Sequence, residues 1–340
     1  MKAMWRFRRK KSGSTALADR SELQDEIERL SASNRDERDL DNERQLLWLR
    51  HLAGMRVLAE AGTADFAAPD NGGLPTAEGL PEFTRADVTP GVLRAAVLRD
   101  GCVLVRGLID REAALHFADG IDRAFAERER IQAGDAAPGA YYSEFEPHPD
   151  SKAEFGRLWI QEGGGVLAAD SPTVAFEMLE LFRAADLGPL VDGYLGEAGL
   201  ISAHKTTLRK AAPTVAGAWH QDGAFMGPVR SLNLWLALSR CGDVAPGLDL
   251  VPRRLDHLVA SQTDEAILDF QVSQAKAEEA AGDKAILRPI FEPGDALFFD
   301  EMFLHQTASD PSMPNPRFAL ESWFFGSSAF PVDYAPVAPW

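Results

Sequence analysis

Apolar residues recur at helical spacing near the start of the chain. In residues 21–62, the side chains of Leu23, Ile27 and Leu30 repeat at i, i+4 and i+7, which predicts one apolar helix face. A Ser-x-x-Gln capping box starts this helix at Ser21. A second apolar-faced helix follows the polar run SASNRDERD. The two helices can form a hairpin, a cover on the main domain or a dimerisation element, so a homodimer through them is one expectation.

Two segments without periodicity flank these helices. Residues 1–20 begin with the basic run MKAMWRFRRKK and continue with polar residues, which predicts a disordered tail and not a secretory signal. Residues 63–84 are rich in Gly, Pro, Ala and Asp and are predicted to be a linker. The remaining residues, 85–340, are predicted to form the main domain.

The main domain is dominated by short β-rich runs in its second half. Gly- and Pro-rich turns separate them, a helix is expected around residues 261–281, and a strand and a helix precede them in DGCVLVRGLID and REAALHFADGIDRAFAERER. Many short strands with turn residues between them favour a sandwich or barrel over βαβ units. The predicted fold is therefore mainly β with flanking helices and has a jelly-roll core. The runs are TVAGAWHQD, RSLNLWLAL, KAILRPIF, DALFFD, MFLHQT and RFALESWFFG.

Charge and composition narrow the class of function. The 340 residues include 35 Lys and Arg against 52 Asp and Glu, a formal net charge of -17 that repels phosphate backbones and argues against a nucleic-acid partner. Two cysteines cannot form a disulfide framework. No apolar run reaches the roughly 18 residues of a membrane span. These features predict a cytoplasmic protein.

The run AWHQDGAF carries the first candidate metal ligands. On a strand, His220 and Asp222 would project from the same face, where an imidazole nitrogen and a carboxylate oxygen can share a cation. The His-x-Asp spacing alone is weak evidence for a metal site, because His148 and Asp150 have the same spacing. That second pair lies beside two prolines, which argue against a central strand. The apolar, β-favouring context therefore selects His220.

A facial metal site needs a third ligand from another strand. His305 is the best placed, because it lies in FLHQT directly after the strand DALFFD. Two histidines and one carboxylate are typical of non-haem Fe(II), with three coordination positions left open. The chain has no paired Cys-x-x-Cys for a structural zinc site. The other histidines considered for this role are His51, His116, His204 and His257.

Arg317 lies twelve residues after His305 in the sequence. A turn over SDPSMPNP would bring Arg317 onto the strand beside His305, where a buried guanidinium would need an anion. Thr307 would face the same way. The alternative makes Arg317 a salt-bridge partner of Glu321 on an outer face.

Several ordered blocks resemble the phytanoyl-CoA dioxygenase family of Fe(II)/2-oxoglutarate oxygenases. AWHQDGAF is similar to the family's W-H-Q-D block, PGLDLVP to its G-x-L-x-x-x-P block, and PGDALFFDEMFLHQTASDPSMPNPRFALESWFF to its terminal block. The likeness covers roughly residues 95–326. The family's P-G-S-H block is replaced here by Pro-Arg-Arg-Leu, and His257 falls two positions late, so it is given no role.

The resemblance implies a double-stranded β-helix and a set of residue roles. Arg317 and Thr307 would bind the distal carboxylate of 2-oxoglutarate. A basic residue before the first metal strand, either Arg209 or Lys210, would line the same pocket, and Lys210 is the one chosen here. The iron ligands would be His220, Asp222 and His305.

The resemblance also implies the chemistry. Fe(II) would bind 2-oxoglutarate and O2, and a small organic substrate would be oxidised with release of succinate and CO2. Related iron halogenases replace the carboxylate ligand with a small residue, so Asp222 favours hydroxylation or desaturation. The competing hypothesis is a cupin-like protein that binds a metal or ligand without redox turnover. An arginine clamp for a cosubstrate separates the two.

Overall fold

The computed structural model describes most of the chain. The predicted tail lies outside the described residues except for its last position, which begins the first helix. No helix in the described part of the chain is both long and apolar enough to cross a membrane. The described ranges are residues 20–75, 79–153, 155–215, 217–263 and 268–340.

Helices flank the sheets, and seven of the nine α-helices in the described ranges lie before residue 199. The two predicted N-terminal helices are present, whereas the helix expected around residues 261–281 is shorter and begins only at Gln274. Ser273 caps it by accepting a hydrogen bond from the backbone N–H of Lys276, so the helix starts where its cap lies. The helices are α1 (Arg20–Asp36), α2 (Leu40–Ala59), α3 (Pro90–Asp100), α4 (Arg111–Gln132), α5 (Leu158–Glu162), α6 (Pro172–Ala184), α7 (Leu187–Leu195), α8 (Gly223–Met226) and α9 (Gln274–Ala281).

Most strands lie in the second half of the chain, where the sequence has short β-rich runs between turn residues. One strand lies inside the predicted linker, at Glu82–Thr84, and pairs in parallel with the strand that follows it. The end of the linker is therefore an edge of the main sheet. The strands are β1 (Glu82–Thr84), β2 (Cys102–Arg106), β3 (Gly165–Leu167), β4 (Gly199–Ser202), β5 (Thr207–Ala211), β6 (Ser231–Ala237), β7 (Gly247–Leu250), β8 (Ala296–Phe299), β9 (His305–Ala308), β10 (Arg317–Gly326) and β11 (Pro336–Val337).

Two sheets form the core of the domain. The larger has the order β1-β2-β8-β6-β10, and the long β10 then pairs with β5 along its first half and with β4 along its second. The smaller consists of β7 and β9, extended by isolated bridges from His220 to His305 and from Leu250 to Leu287. Side chains of both sheets line one cavity. The predicted jelly-roll, or double-stranded β-helix, class is confirmed.

The N-terminal helices cover the sheets of their own chain. The apolar side chains of Leu23, Ile27 and Leu30 are buried, and α1 packs on α2. In turn α2 packs against α6 and β11. The apolar stripe that the sequence displays is thus covered within the chain, as in the hairpin and cover alternatives. The homodimer stays a prediction.

A buried histidine fastens α2 to two other segments. Nδ1 of His51 donates to the carbonyl oxygen of Pro336 at 2.8 Å, and its Nε2 accepts from the backbone N–H of His148 at 3.1 Å. Only the neutral ring satisfies both bonds, because a protonated Nε2 would face another donor. Burial is the main cause that lowers the pKa of His51 from 6.5 to about 4, and His148 adds to it.

We expect His51 to make the protein acid-sensitive. Because the pKa of His51 is lower in the folded state, its contribution to the free energy of unfolding is complete above about pH 6.5 and is lost as pH falls to about 4. The loss is on the order of 3 kcal/mol. Urea unfolding of the wild type and of His51→Gln at pH 7 and 4.5 should show the smaller pH dependence in the variant. Equal dependence in both proteins would contradict this assignment.

Candidate active site

The segment before α8 carries the first two predicted ligands. Gly217 allows this segment to run against β9, since a Cβ there would lie 2.1 Å from the carbonyl oxygen of Thr307. His220 then exchanges two backbone hydrogen bonds with His305, of 3.0 and 3.1 Å. Paired residues of an antiparallel ladder project from the same face, so the two imidazoles lie side by side, with ring centroids 4.5 Å apart.

The carboxylate of Asp222 lies near the two imidazoles, but its backbone is not part of the predicted strand. Strand geometry ends at His220, and Asp222 has helical dihedral angles at the start of α8. Between them, Gln221 faces away from the cavity and fixes the turn: it donates to the carbonyl oxygens of His257 and Met302 and accepts from the backbone of Val259. The turn, and not strand alternation, therefore aims the Asp222 carboxylate.

The three predicted ligands come together. One ligand atom from each of His220, Asp222 and His305 lies within 4.8 Å of the other two. Nδ1 of each imidazole is 2.8 to 3.0 Å from the carbonyl oxygen two residues earlier, to which it donates. This fixes the tautomer in which Nε2 keeps its lone pair for a metal ion.

The electrostatics of this cluster fit a divalent cation. Burial raises the pKa of Asp222 to about 6, against the opposing effect of His220, and burial lowers the pKa of His305 to about 3, with His220 adding to it. Oδ2 of Asp222 is buried and has no hydrogen-bond partner among the described residues. A buried carboxylate oxygen without a partner is costly, and a bound cation would remove that cost.

Arg317 lies buried in the wall of the same cavity. It donates to the carbonyl oxygen of Gly247 at 2.9 Å, and its guanidinium carbon is 5.5 Å from the centre of the Trp235 ring. Its Nε has no partner within the described ranges, and burial lowers its pKa to about 10. Thr307 lines the cavity as predicted. The guanidinium is therefore available to an anionic ligand.

Glu321 does not serve as the partner of Arg317. Its carboxylate accepts from Nε and Nη2 of Arg209 at 3.0 and 2.9 Å and from the Thr207 hydroxyl at 3.1 Å. Burial on its own would raise the pKa of Glu321, but Arg209 more than offsets it and the pKa falls to about 2. Arg209 and Glu321 therefore neutralise each other's charge in the cavity wall.

The structure differs from the prediction at Lys210. Successive residues of a strand face opposite sides, so only one of Arg209 and Lys210 can face the cavity. Arg209 lines it, whereas Lys210 lies on the other face of β5 and binds Asp122 at 2.5 Å. The choice of Lys210 as a pocket residue is corrected to Arg209.

The cavity has a volume of about 570 Å³ and is mixed in character. His204 lines it, in agreement with its position just upstream of β5. Neither the inward position of Arg209 nor the role of Lys205 in the lining is visible in the sequence, because neither residue belongs to a recognisable motif. The described lining also includes aromatic side chains, which are Trp159, Phe225, Trp235, Phe270, Trp323 and Tyr334.

The remaining histidines lie elsewhere. His148, the histidine of the second His-x-Asp pair, lies near Trp48 with ring centroids 5.6 Å apart, and its Nδ1 is 3.7 Å from a carboxylate oxygen of Asp150. His116 and His257 are exposed side chains near carboxylates. Of the two His-x-Asp pairs, only His220 and Asp222 lie in the cluster with His305.

Two solved structures are similar to the chain at low identity. EctD from S. alaskensis, in a crystal structure with 2-oxoglutarate and 5-hydroxyectoine, is 16% identical with a TM-score of 0.50, over 78% of this chain and 85% of that one. AviO1 from Streptomyces viridochromogenes Tue57 is also 16% identical, with a TM-score of 0.45, over 72% of this chain and 97% of that one. No curated protein matches the chain in sequence. The likeness to EctD shows a common fold.

A family model identifies the chain more specifically. The model described as phytanoyl-CoA dioxygenase (PhyH) matches residues 97–313, which is more than half of the sequence. The match includes the segment with His220 and Asp222 and the strand with His305. The chain therefore belongs to the phytanoyl-CoA dioxygenase family, whose members are non-haem oxygenases that depend on Fe(II), 2-oxoglutarate and O2.

Proposed function

We propose that the protein hydroxylates a small organic molecule, with His220, Asp222 and His305 as the ligands of its iron. The observation that carries this proposal is the convergence of their ligand atoms within 4.8 Å, with a buried carboxylate oxygen that has no partner among the described residues. When bound, Fe(II) supplies the activation of O2 that is coupled to decarboxylation of 2-oxoglutarate.

The chain's own residues would position the cosubstrate. Arg317 would hold its distal carboxylate, because a planar guanidinium can donate two parallel hydrogen bonds to a carboxylate. Thr307, which lines the same cavity, would donate a further hydrogen bond. Arg209 is less suited to this role, since its guanidinium already donates two hydrogen bonds to Glu321. The aromatic lining would limit water around the reacting groups.

The presence of Asp222 supports hydroxylation over halogenation. Its carboxylate would occupy the coordination position that a halide needs in related enzymes. Desaturation uses the same ligand set and remains compatible with it. The substrate would enter the part of the cavity that 2-oxoglutarate leaves open.

Product analysis of the purified protein tests the proposal. With Fe(II), ascorbate and 2-oxoglutarate, we expect succinate release that requires iron, and a mass increase of one oxygen atom on an accepted substrate. Omission of Fe(II) is the control. Absence of both iron-dependent succinate and 2-oxoglutarate binding would instead favour a cupin-like binding protein.

A further inference from the structure

One cation in the cavity has no role in the proposed cosubstrate site. Lys205 lies between β4 and β5, and its side chain lines the cavity. Burial lowers the pKa of its ammonium group, and no ion pair joins it to a carboxylate of any described residue. Lys205 is half-buried, and because partial burial of an unpaired charge is costly, its surroundings or a ligand would compensate for the lost hydration.

Aromatic rings surround this ammonium group. Nζ of Lys205 lies 4.5 Å from the ring centre of Trp159, 4.6 Å from that of Phe225 and 5.7 Å from that of Tyr334. Each ring offers a cation–π contact, which stabilises the charge but forms no hydrogen bond with it. His204 stacks between two of these rings, with centroids 5.8 Å from Trp159 and 5.5 Å from Tyr334. The donors of the ammonium group thus face aromatic rings that line the cavity, and two of these rings, Trp159 and Phe225, are partly exposed.

These rings adjoin the metal-ligand cluster. The Phe225 ring that contacts Lys205 also lies 6.4 Å from the imidazole of His220, with the two rings nearly parallel. The same aromatic ring is therefore close to both the ammonium group and a proposed iron ligand. The charge of Lys205 also acts electrostatically on Asp222.

Lys205 and Arg317 are placed to bind different ligands. Arg317 lies opposite Ala211 at the far end of β5, whereas Lys205 precedes Thr207 at its near end. A ligand bound by Arg317 would thus lie near one end of β5, and a ligand bound by Lys205 would lie near the other end. The site near Lys205 is left for the primary substrate.

The single positive charge near the Lys205 end of β5 is matched by a ligand with one carboxylate. The only other described cations that line the cavity are Arg209, which is paired with Glu321, and Arg317 at the far end. Asp333 lines the cavity as well, and its charge repels a polyanion more strongly than a monoanion. Phosphate-rich groups are usually bound by several arginines or a helix N-terminus. One ammonium group among aromatic rings therefore fits a monoanion with an apolar body.

We propose that Lys205 binds a carboxylate of the primary substrate while the rings of Trp159 and Phe225 pack on the apolar part of that molecule. This inference rests on the proposed function, since it assigns the part of the cavity that 2-oxoglutarate leaves free. Lys205 would be a specificity-determining residue, and the substrate class would be apolar monocarboxylic acids.

Calorimetric titration tests the inference without turnover. The protein is loaded with Mn(II) and 2-oxoglutarate under nitrogen, so that the Arg317 end is filled, and is titrated with octanoate and hydrocinnamate and with their neutral amides. We expect the acids to bind about tenfold more tightly than the amides, the effect of one charge-assisted hydrogen bond. In Lys205→Met the preference should disappear, while 2-oxoglutarate affinity is unchanged. Lys210→Met removes the same charge from the outer face of β5 and should behave as wild type.

The outcomes separate this inference from its premise. Equal affinity of acids and amides for the wild type, no binding of either acid, or tighter binding of the matching amines would overturn it. So would a Lys205→Met variant that loses 2-oxoglutarate as well, because Lys205 would then belong to the cosubstrate clamp. Failure of the proposed function would appear elsewhere, as wild-type protein that makes no iron-dependent succinate yet still discriminates acids from amides through Lys205.

Discussion

Asp222→Ala should abolish iron-dependent succinate formation, with a loss of more than about 100-fold, because even residues that only support metal ligands cost 10- to 100-fold when mutated. The fold should survive. Oδ2 of Asp222 has no partner in the described part of the chain, and the backbone bonds that start α8 do not need its side chain. His220→Ala should behave in the same way.

Iron content and stability are measured together for these variants. Iron bound per chain should fall with activity, while the urea midpoint of metal-free Asp222→Ala should be no lower than that of the wild type, since a buried charge has been removed. His148→Ala is the matched control from the other His-x-Asp pair and should keep its iron. Loss of iron in His148→Ala but not in Asp222→Ala would show that the wrong pair was assigned.

Arg317→Met should raise the dissociation constant for 2-oxoglutarate by about 100-fold, as expected for the loss of two hydrogen bonds to a carboxylate in a buried site. Methionine fills a similar space without charge, so the metal-free protein should stay within about 1 kcal/mol of wild-type stability despite the lost bond to Gly247. Titration calorimetry of the Mn(II)-loaded proteins gives the constants.

Two controls accompany this variant. Iron binding should be unaffected in Arg317→Met, because Arg317 is not among the three clustered ligand residues. Lys210→Met should bind 2-oxoglutarate normally, because Lys210 faces Asp122 outside the cavity. Normal 2-oxoglutarate affinity in Arg317→Met would remove Arg317 from the cosubstrate site.

The sequence predicts the sheet class and the three clustered residues because each depends on local signals. Alternation with Gly and Pro turns marks short strands, and the position of His305 after an apolar run selects it among the other histidines. The route to Asp222 was not predictable. The residues that follow His220 are compatible with a turn and with a continued strand. Hydrogen bonds from the Gln221 side chain to carbonyl groups distant in sequence fix the turn.

Strand phase explains the error at Lys210. The pair Arg209-Lys210 is charged at both positions, so its pattern does not indicate which residue faces inward. The register against β10 decides it, because that pairing places Arg209 beside Glu321 in the cavity wall. Long-range pairing likewise explains β1, which lies in a Gly- and Pro-rich stretch and is a strand only because β2 lies beside it.

Lys205 carries no sequence signal at all. It lies in a turn, and the rings around it come from distant segments at Trp159, Phe225 and Tyr334. Only the folded chain brings them together. Residues that select the substrate are therefore harder to read from one sequence than metal ligands, whose types and order are restricted by chemistry.

A crystal structure of the protein grown under nitrogen with Fe(II) and 2-oxoglutarate tests the central claim most directly. Anomalous scattering at the iron edge should show one metal ion bonded to Nε2 of His220, Nε2 of His305 and the carboxylate of Asp222. An iron peak elsewhere in the molecule, or one that the His305 imidazole does not reach, would contradict the account.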